Sequence, residues 1–263
     1  MAEPTLHGPQ RRGVLVRSGA LIAATFVAVA LTSSPAAAFP TKLSPNGQRD
    51  FTYGSAVQSS GGDGTAYKPE NKLFYTGDGS TEAVRWWAVL GTSGPTAGVY
   101  LWELVDHTWA PYTVLPGADP WAKADTLFDG STLYVSTRDN KGSGTTRESD
   151  LYEVPYLGSG GWGSVSGPFP ITTNSPETLT IAKDSTGRLW TTFELNKNIV
   201  AGYTAPGGTS FTFITISRTN VDSDDVSAVT AFGGSMIGVF WSDQTAKKDF
   251  FAWRSDSDPI SSR

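Results

Sequence analysis

The chain of 263 residues contains no cysteine and only two histidines. The first absence excludes disulfides, thiol chemistry and thiolate metal sites, so the fold must be held by its core. The second leaves little room for histidine chemistry. His7 falls in an N-terminal leader, His107 then stands alone, and no site with several histidine ligands can be assembled. A Ser-His-Asp triad would have to use His107, whose surroundings, Val105-Asp106-His107-Thr108-Trp109, read as a surface turn. Basic residues are also in deficit, 20 against 25 acidic ones, for a net charge of −5. That balance argues against nucleic acid and anionic membranes as partners, because both need basic patches. Helical periodicity longer than two turns is missing outside the leader, and no apolar run reaches membrane-spanning length.

The leader is residues 1–38. Arg11, Arg12 and Arg17 form a basic start, Gly19 to Leu31 is an apolar run of 13 residues, and Ala36-Ala37-Ala38 is a small-residue cleavage site. This is the pattern of a secretory signal peptide. The Arg11-Arg12-Gly13-Val14-Leu15 string is similar to a twin-arginine signal, with general secretion as the alternative. The leader carries three arginines and one glutamate, so the mature chain from Phe39 has a net charge of −7. The expectation is a secreted, extracellular monomer without a cofactor or metal, with no membrane contact after cleavage.

What is present is a repeat. Four segments each run from an acidic residue through an apolar alternating run and a polar turn into a second apolar run. Glu70 leads to Val84–Leu90; Asp125 leads past Asp129-Gly130-Ser131-Thr132 to Leu133-Tyr134-Val135. Glu177 leads past Asp184-Ser185-Thr186-Gly187 to Leu189-Trp190-Thr191, and Asp225 past Gly233-Gly234-Ser235 to Met236–Trp241. The acids are 55, 52 and 48 residues apart. A period near 50 made of short strands and turns predicts an all-β fold, a β-propeller with about four four-stranded blades. A β-sandwich would explain the strands but not the period.

The blades should occupy 67–253, following a polar segment, 39–66, and preceding a polar tail, 254–263. The fourth repeat offers three strands, Val226–Phe232, Met236–Trp241 and Phe250–Trp253. Phe51–Val57 is the one unassigned strand candidate. It could complete the last blade and close a ring of four. The alternative is the front part of a six- or seven-bladed propeller.

Two local strings carry a resemblance. Asp184-Ser185-Thr186-Gly187-Arg188-Leu189-Trp190 resembles the Asp-x-x-Gly-x-Leu-Trp turns of sensor and lyase propellers, and is one residue longer than the Asp-box of sialidases. Lys68-Pro69-Glu70, Trp86-Trp87-Ala88-Val89 and Ser223-Asp224-Asp225-Val226 together resemble a group of secreted bacterial propellers near the sialidase superfamily. The resemblance covers roughly 68–253 and implies the fold. A sialidase site would need three arginines around a carboxylate, a Tyr–Glu pair and an aspartate. Arg85, Arg138, Arg147, Arg188 and Arg218 stand in no matching string, and no spacing pairs a tyrosine with a glutamate.

In a propeller the innermost strands start on the top face. Glu70, Asp125, Glu177 and Asp225 should therefore ring the channel mouth, with Arg138, Asp139, Glu194 and Asp243 just outside them. Such carboxylates can hold a cation, bind sugar hydroxyls or split their pKa values for acid–base work. They can equally tie down neighbouring loops by accepting backbone N–H groups. Trp121, after Asp119-Pro120 in a loop between repeats, can stack on a ligand or pack. Trp162, in Ser159-Gly160-Gly161-Trp162-Gly163, is expected to cap the outer rim. The reading that follows is a non-catalytic module for an extracellular glycan or polymer; the alternative is a glycoside hydrolase or lyase using paired acids from the ring.

Overall fold

The computed structural model describes residues 69–93, 95–138, 148–174, 176–216 and 221–260. These residues form strands and turns, and among them no helix is long and apolar enough to cross a membrane. The strands make four antiparallel sheets in chain order. The first holds β1 (Leu73–Thr76), β2 (Arg85–Thr92), β3 (Gly98–Val105) and β4 (Thr108–Val114). The second holds β5 (Lys123–Phe128), β6 (Thr132–Arg138) and β7 (Ser149–Gly158), with β8 (Gly161–Trp162) and β9 (Ser166–Thr172) both pairing with β7. The third is β10 (Thr180–Lys183), β11 (Leu189–Leu195), β12 (Asn198–Tyr203) and β13 (Thr212–Thr215). The fourth is β14 (Ser227–Phe232), β15 (Met236–Asp243) and β16 (Lys248–Ser255).

The strands expected in the fourth repeat, Val226–Phe232, Met236–Trp241 and Phe250–Trp253, are present as β14, β15 and β16, displaced by one or two residues at their ends. The segments Phe51–Val57 and Asp139–Gly144 lie outside the described residues. Turn chemistry explains why the pattern was legible. Asp129 Oδ1 accepts the N–H groups of Ser131 and Thr132, and Asp184 Oδ1 accepts those of Thr186 and Arg188. Asp78 Oδ1 does the same for Ser80, Thr81 and Glu82. Each carboxylate thus closes the turn between the first two strands of its sheet, in place of a longer loop. In the Asp184 turn the chain then reverses through Gly187 at φ 86°, a backbone region that a side chain disfavours. Trp190 Nε1 donates to the other oxygen of Asp184 at 2.7 Å, which fixes the turn to the sheet it serves. The β3–β4 hairpin turns on Asp106 and His107, both at positive φ as a two-residue type I′ turn requires, and His107 is exposed.

The sheets stack in sequence. Contacts join the first strands of neighbouring sheets, β1 with β5, β5 with β10 and β10 with β14. Three apolar cores fill the gaps. Phe74, Trp87, Val89 and Leu101 of the first sheet meet Leu133, Val135, Tyr152 and Val154 of the second. Tyr134 and Leu151 meet Ile181, Leu189 and Phe193; Trp190, Ile199 and Ala201 meet Val229, Ile237, Val239 and Trp241.

Trp162 departs from the sequence expectation. It is 6% exposed and lies inside the first core rather than on a rim. The chain reverses over Gly158, Ser159 and Gly160, all at positive φ, and lays β8 back on β7 with Tyr156 opposite Trp162. The indole is thereby turned into the gap between sheets one and two. It meets Trp87 edge-on at 5.4 Å and Phe74 edge-on at 5.9 Å, with Phe128 at 5.5 Å and Tyr156 at 4.8 Å. Truncating an aromatic hub of this kind leaves a cavity that its neighbours cannot collapse into. Trp162→Ala is expected to destabilise the fold by about 3–5 kcal/mol in a denaturant titration, and a loss below about 1 kcal/mol would show that the core does not depend on it.

Candidate functional site

The residues singled out by the sequence do gather at one end of the sheets. Lys123 at the start of β5 pairs with Arg138 at the end of β6, and Ser227 at the start of β14 pairs with Trp241 near the end of β15. Strand starts and second-strand ends therefore share this end. Most of the gathered groups, however, are buried and bonded to the protein.

Arg138, expected outside the ring, is 2% exposed. Its Nε donates to Glu70 Oε1 at 3.0 Å and its Nη1 to the Pro176 carbonyl at 3.1 Å. The Lys72 ammonium donates to the other Glu70 oxygen at 2.9 Å. Glu70 precedes the first sheet, Arg138 closes a strand of the second, and Pro176 precedes the third. One guanidinium thus joins three sheets. Asp125 repeats the theme one layer in: Oδ1 accepts the Asn71 N–H and Oδ2 the Ile181 N–H, the latter at 2.7 Å. Asn71 in turn offers its carbonyl to Thr126 N at 2.8 Å. Further round, Thr180 Oγ1 accepts Val229 N–H at 2.9 Å, so the third and fourth sheets are tied by a hydroxyl where the second and third are tied by a carboxylate.

Asp225 and Asp243 are buried as well. Asp225 accepts Asp222 N–H at 2.7 Å, Ser242 O–H at 2.8 Å and Gln244 N–H at 3.0 Å; Asp243 accepts Ala246 N–H at 2.7 Å. Glu194 is half-buried and accepts the Lys197 N–H, closing the β11–β12 turn. Burial pushes its pKa up, the Lys197 N–H opposes this, and the charge of Asp225 adds to it. Glu177 differs from the rest. It is half-buried and accepts no hydrogen bond from the described residues. Trp121 is half exposed, yet its backbone is fixed: its N–H donates to Asp119 Oδ1 at 2.7 Å, and Ala122 N–H to Asp119 O at 2.8 Å. Asp139 lies outside the described residues.

Glu70, Asp125, Asp225, Asp243 and Arg138 are thus buried and act as ties within the protein. The physical reason is that groups shut away from water must find partners in the protein: Asp125, Asp225 and Asp243 accept backbone N–H groups, Glu70 accepts from Arg138 and Lys72, and Arg138 also donates to the Pro176 carbonyl. Trp121, Glu177 and Glu194 keep accessible surface. Sequence reasoning gave no role to Lys72, 9% exposed, which pairs with Glu70 at 2.9 Å; Lys123 is buried as well, 4% exposed. Both stand two residues from an acid, on the same face of an extended segment, and that spacing was the available signal. At the opposite end, a cleft of about 250 Å³ opens between the β10–β11 and β14–β15 turns, lined by Lys183, Asp184, Phe232, Met236 and Asp256. Asp256 there accepts Ser185 N–H at 2.9 Å and Ser185 O–H at 2.6 Å, holding the C-terminal end of the fourth sheet to the third.

Asp125 carries a pH signature. Burial pushes its pKa up to about 7, against the pull of the Asn71 and Ile181 N–H groups and aided by the charge of Glu70. An unfolded aspartate titrates near 3.8. Below that value both states hold the proton. Between about 4 and 7 the folded state holds it and the unfolded state does not, so stability falls as pH rises through this window and levels off above it. The contribution is on the order of 4 kcal/mol. Asp125→Asn should remove this fall, and at pH 5 should be less stable than the wild type by about 1–3 kcal/mol, because the amide nitrogen cannot accept one of the two N–H groups. Glu177→Gln should stay within about 0.5 kcal/mol of wild type at pH 7. Melts across pH 4–8 check both, and equal pH slopes for wild type and Asp125→Asn would overturn the assignment.

No protein-family model matches the chain, and no curated protein matches it, so the functional reading rests on the geometry of the chain itself.

Proposed function

We propose that the four sheets are blades of a secreted β-propeller that binds an extracellular glycan or related polymer at the end where the inner strands begin, without chemical turnover. The observation that carries this is Trp121, half exposed on a backbone clamped by buried Asp119. An indole carried on a fixed backbone offers a flat apolar surface to a sugar ring and leaves only its side-chain torsions to be ordered. Glu177 and Glu194 stand at the same end, both half-buried, and a carboxylate has acceptor capacity for several hydroxyl groups. The signal-peptide pattern of residues 1–38 and the acidic mature chain suit export and a neutral, hydroxyl-rich partner.

The non-catalytic reading is supported by how the acids are used. Glycoside hydrolysis needs two carboxyl groups flanking a substrate, one able to give a proton and one ionised. Glu70, Asp125, Asp225 and Asp243 all accept bonds from the protein and have almost no surface for a substrate. Of the candidate acids among the described residues, Glu177 and Glu194 are the ones that keep surface a hydrolase or lyase could use.

A glycan array followed by calorimetry on the hits tests the reading. Trp121→Ala should weaken binding about tenfold or more, the loss typical of removing an aromatic anchor, while leaving the melting temperature unchanged. Incubation of a bound glycan with the protein should release no new reducing ends. Product release would replace the binding module with an enzyme, and full affinity in Trp121→Ala would remove the indole from the site.

A further inference from the structure

Each sheet that has a sheet on either side is apolar on both faces, as a buried sheet must be. The first and fourth sheets share this composition although each has a described neighbour on one side only. On the first sheet, Trp87 points into the core with sheet two and is fully buried, while Trp86, next in the chain and therefore on the opposite face, packs against Tyr75 at 5.6 Å in the open. Tyr75 is 56% exposed and Leu73 48%. On the fourth sheet, Phe250 stacks on Trp241 at 5.5 Å toward sheet three, while its neighbour Phe251 faces away. Phe251 is paired with Phe240, and Trp253 is paired with Gly238; Phe251, Phe240 and Trp253 are 54%, 50% and 63% exposed. At half exposure, three aromatic side chains present on the order of 300 Å² of contiguous apolar surface, the scale that marks an interaction surface on a soluble protein.

The two open faces are not alike. One is the face by which sheets two, three and four each receive the preceding sheet; the other is the face by which sheets one, two and three each meet the following one. They are the two halves of an interface the chain already builds three times. We propose that they meet between molecules: the open face of the fourth sheet of one copy packs on the open face of the first sheet of a second copy, and the reverse contact closes a head-to-tail dimer of eight stacked sheets. The contact continues the packing between sheets within the chain, so it needs no chemistry beyond aromatic and aliphatic burial. It is heterologous at each junction, and eight sheets lie within the four to eight that closed rings of this kind use. The inference concerns the flanks of the stack and stands whether or not the end with Trp121 binds a glycan.

Light scattering coupled to size exclusion on the full exported protein, with Tyr75→Asp and Phe251→Asp variants, tests it. The wild type should run at twice the monomer mass. Each variant alone should run as a monomer with a cooperative melt, since the altered side chain is more than half exposed in the single chain. An equimolar mixture should regain the dimer mass, because each variant keeps the face the other has lost. A monomeric wild type, the state expected from the sequence, would overturn the proposal. It is the result that follows if the two faces meet within one chain. A variant that stays dimeric alone, or a mixture that stays monomeric, would overturn the head-to-tail geometry.

Discussion

The arrangement depends on a buried ionic joint at the start of the first strands. Arg138 reaches back to Glu70 and forward to the Pro176 carbonyl, and Asp125 bridges backbone groups of the segments on either side. Apolar stacking between sheets is strong but does not fix how far one sheet is shifted against the next, because side chains of similar size pack in more than one register. Directed bonds to Asn71, Ile181 and Pro176 do. A guanidinium suits this position because it stays charged when buried and its planar fork can address two partners at once. Buried ion pairs contribute little net stability when intact but are expensive to break singly, so the joint serves to set position more than to add stability.

The same carboxylate chemistry does a second job at the far ends of the first strands. Asp78, Asp129 and Asp184 each fold a turn around one oxygen. For Asp184, burial raises the pKa, and the bonds from Thr186 and Trp190 outweigh it, so the group stays ionised and the turn stays closed over the ordinary pH range. Asp129 is likewise held low, against burial, by Lys183 and the N–H groups of its own turn. Acids thus appear at both ends of the strands for opposite electrostatic reasons. Those in the turns are stabilised as anions by local donors, whereas Asp125 is buried deeply enough that desolvation dominates its two N–H bonds.

This division bears on function. A repeated acid in every sheet looks like a ring of binding groups, yet a structural role also produces repetition, since polar groups buried between sheets need partners, which differ from one junction to the next. The residues with surface left for a ligand are those that break the repeat. Glu177 has the sequence position of its counterparts without their bonds to described residues, and no tryptophan stands in the sequence of the other two junctions. The open aromatic faces follow the same logic. Trp86 and Phe251 are the alternate-face neighbours of buried Trp87 and half-buried Phe250, and they are informative because no described neighbouring sheet accounts for them.

The sequence alone determined the all-β class, the order and approximate extent of the strands, and the turns. Alternation of side chains across a strand and the preference of Asp and Gly for reversing chain are local properties, carried by neighbours within a few residues. Runs such as Leu189–Glu194 and the Asp184–Gly187 turn were therefore readable without knowing what packs against them. Tertiary structure decided which charges are buried and which aromatics are covered. Nothing within a few residues of Arg138 announces that Glu70 and Pro176 will surround it, and the glycine-rich string around Trp162 is equally compatible with a rim or a core. Burial is set by partners far apart in sequence, and the free energy of a charge or an indole depends on what replaces the water around it.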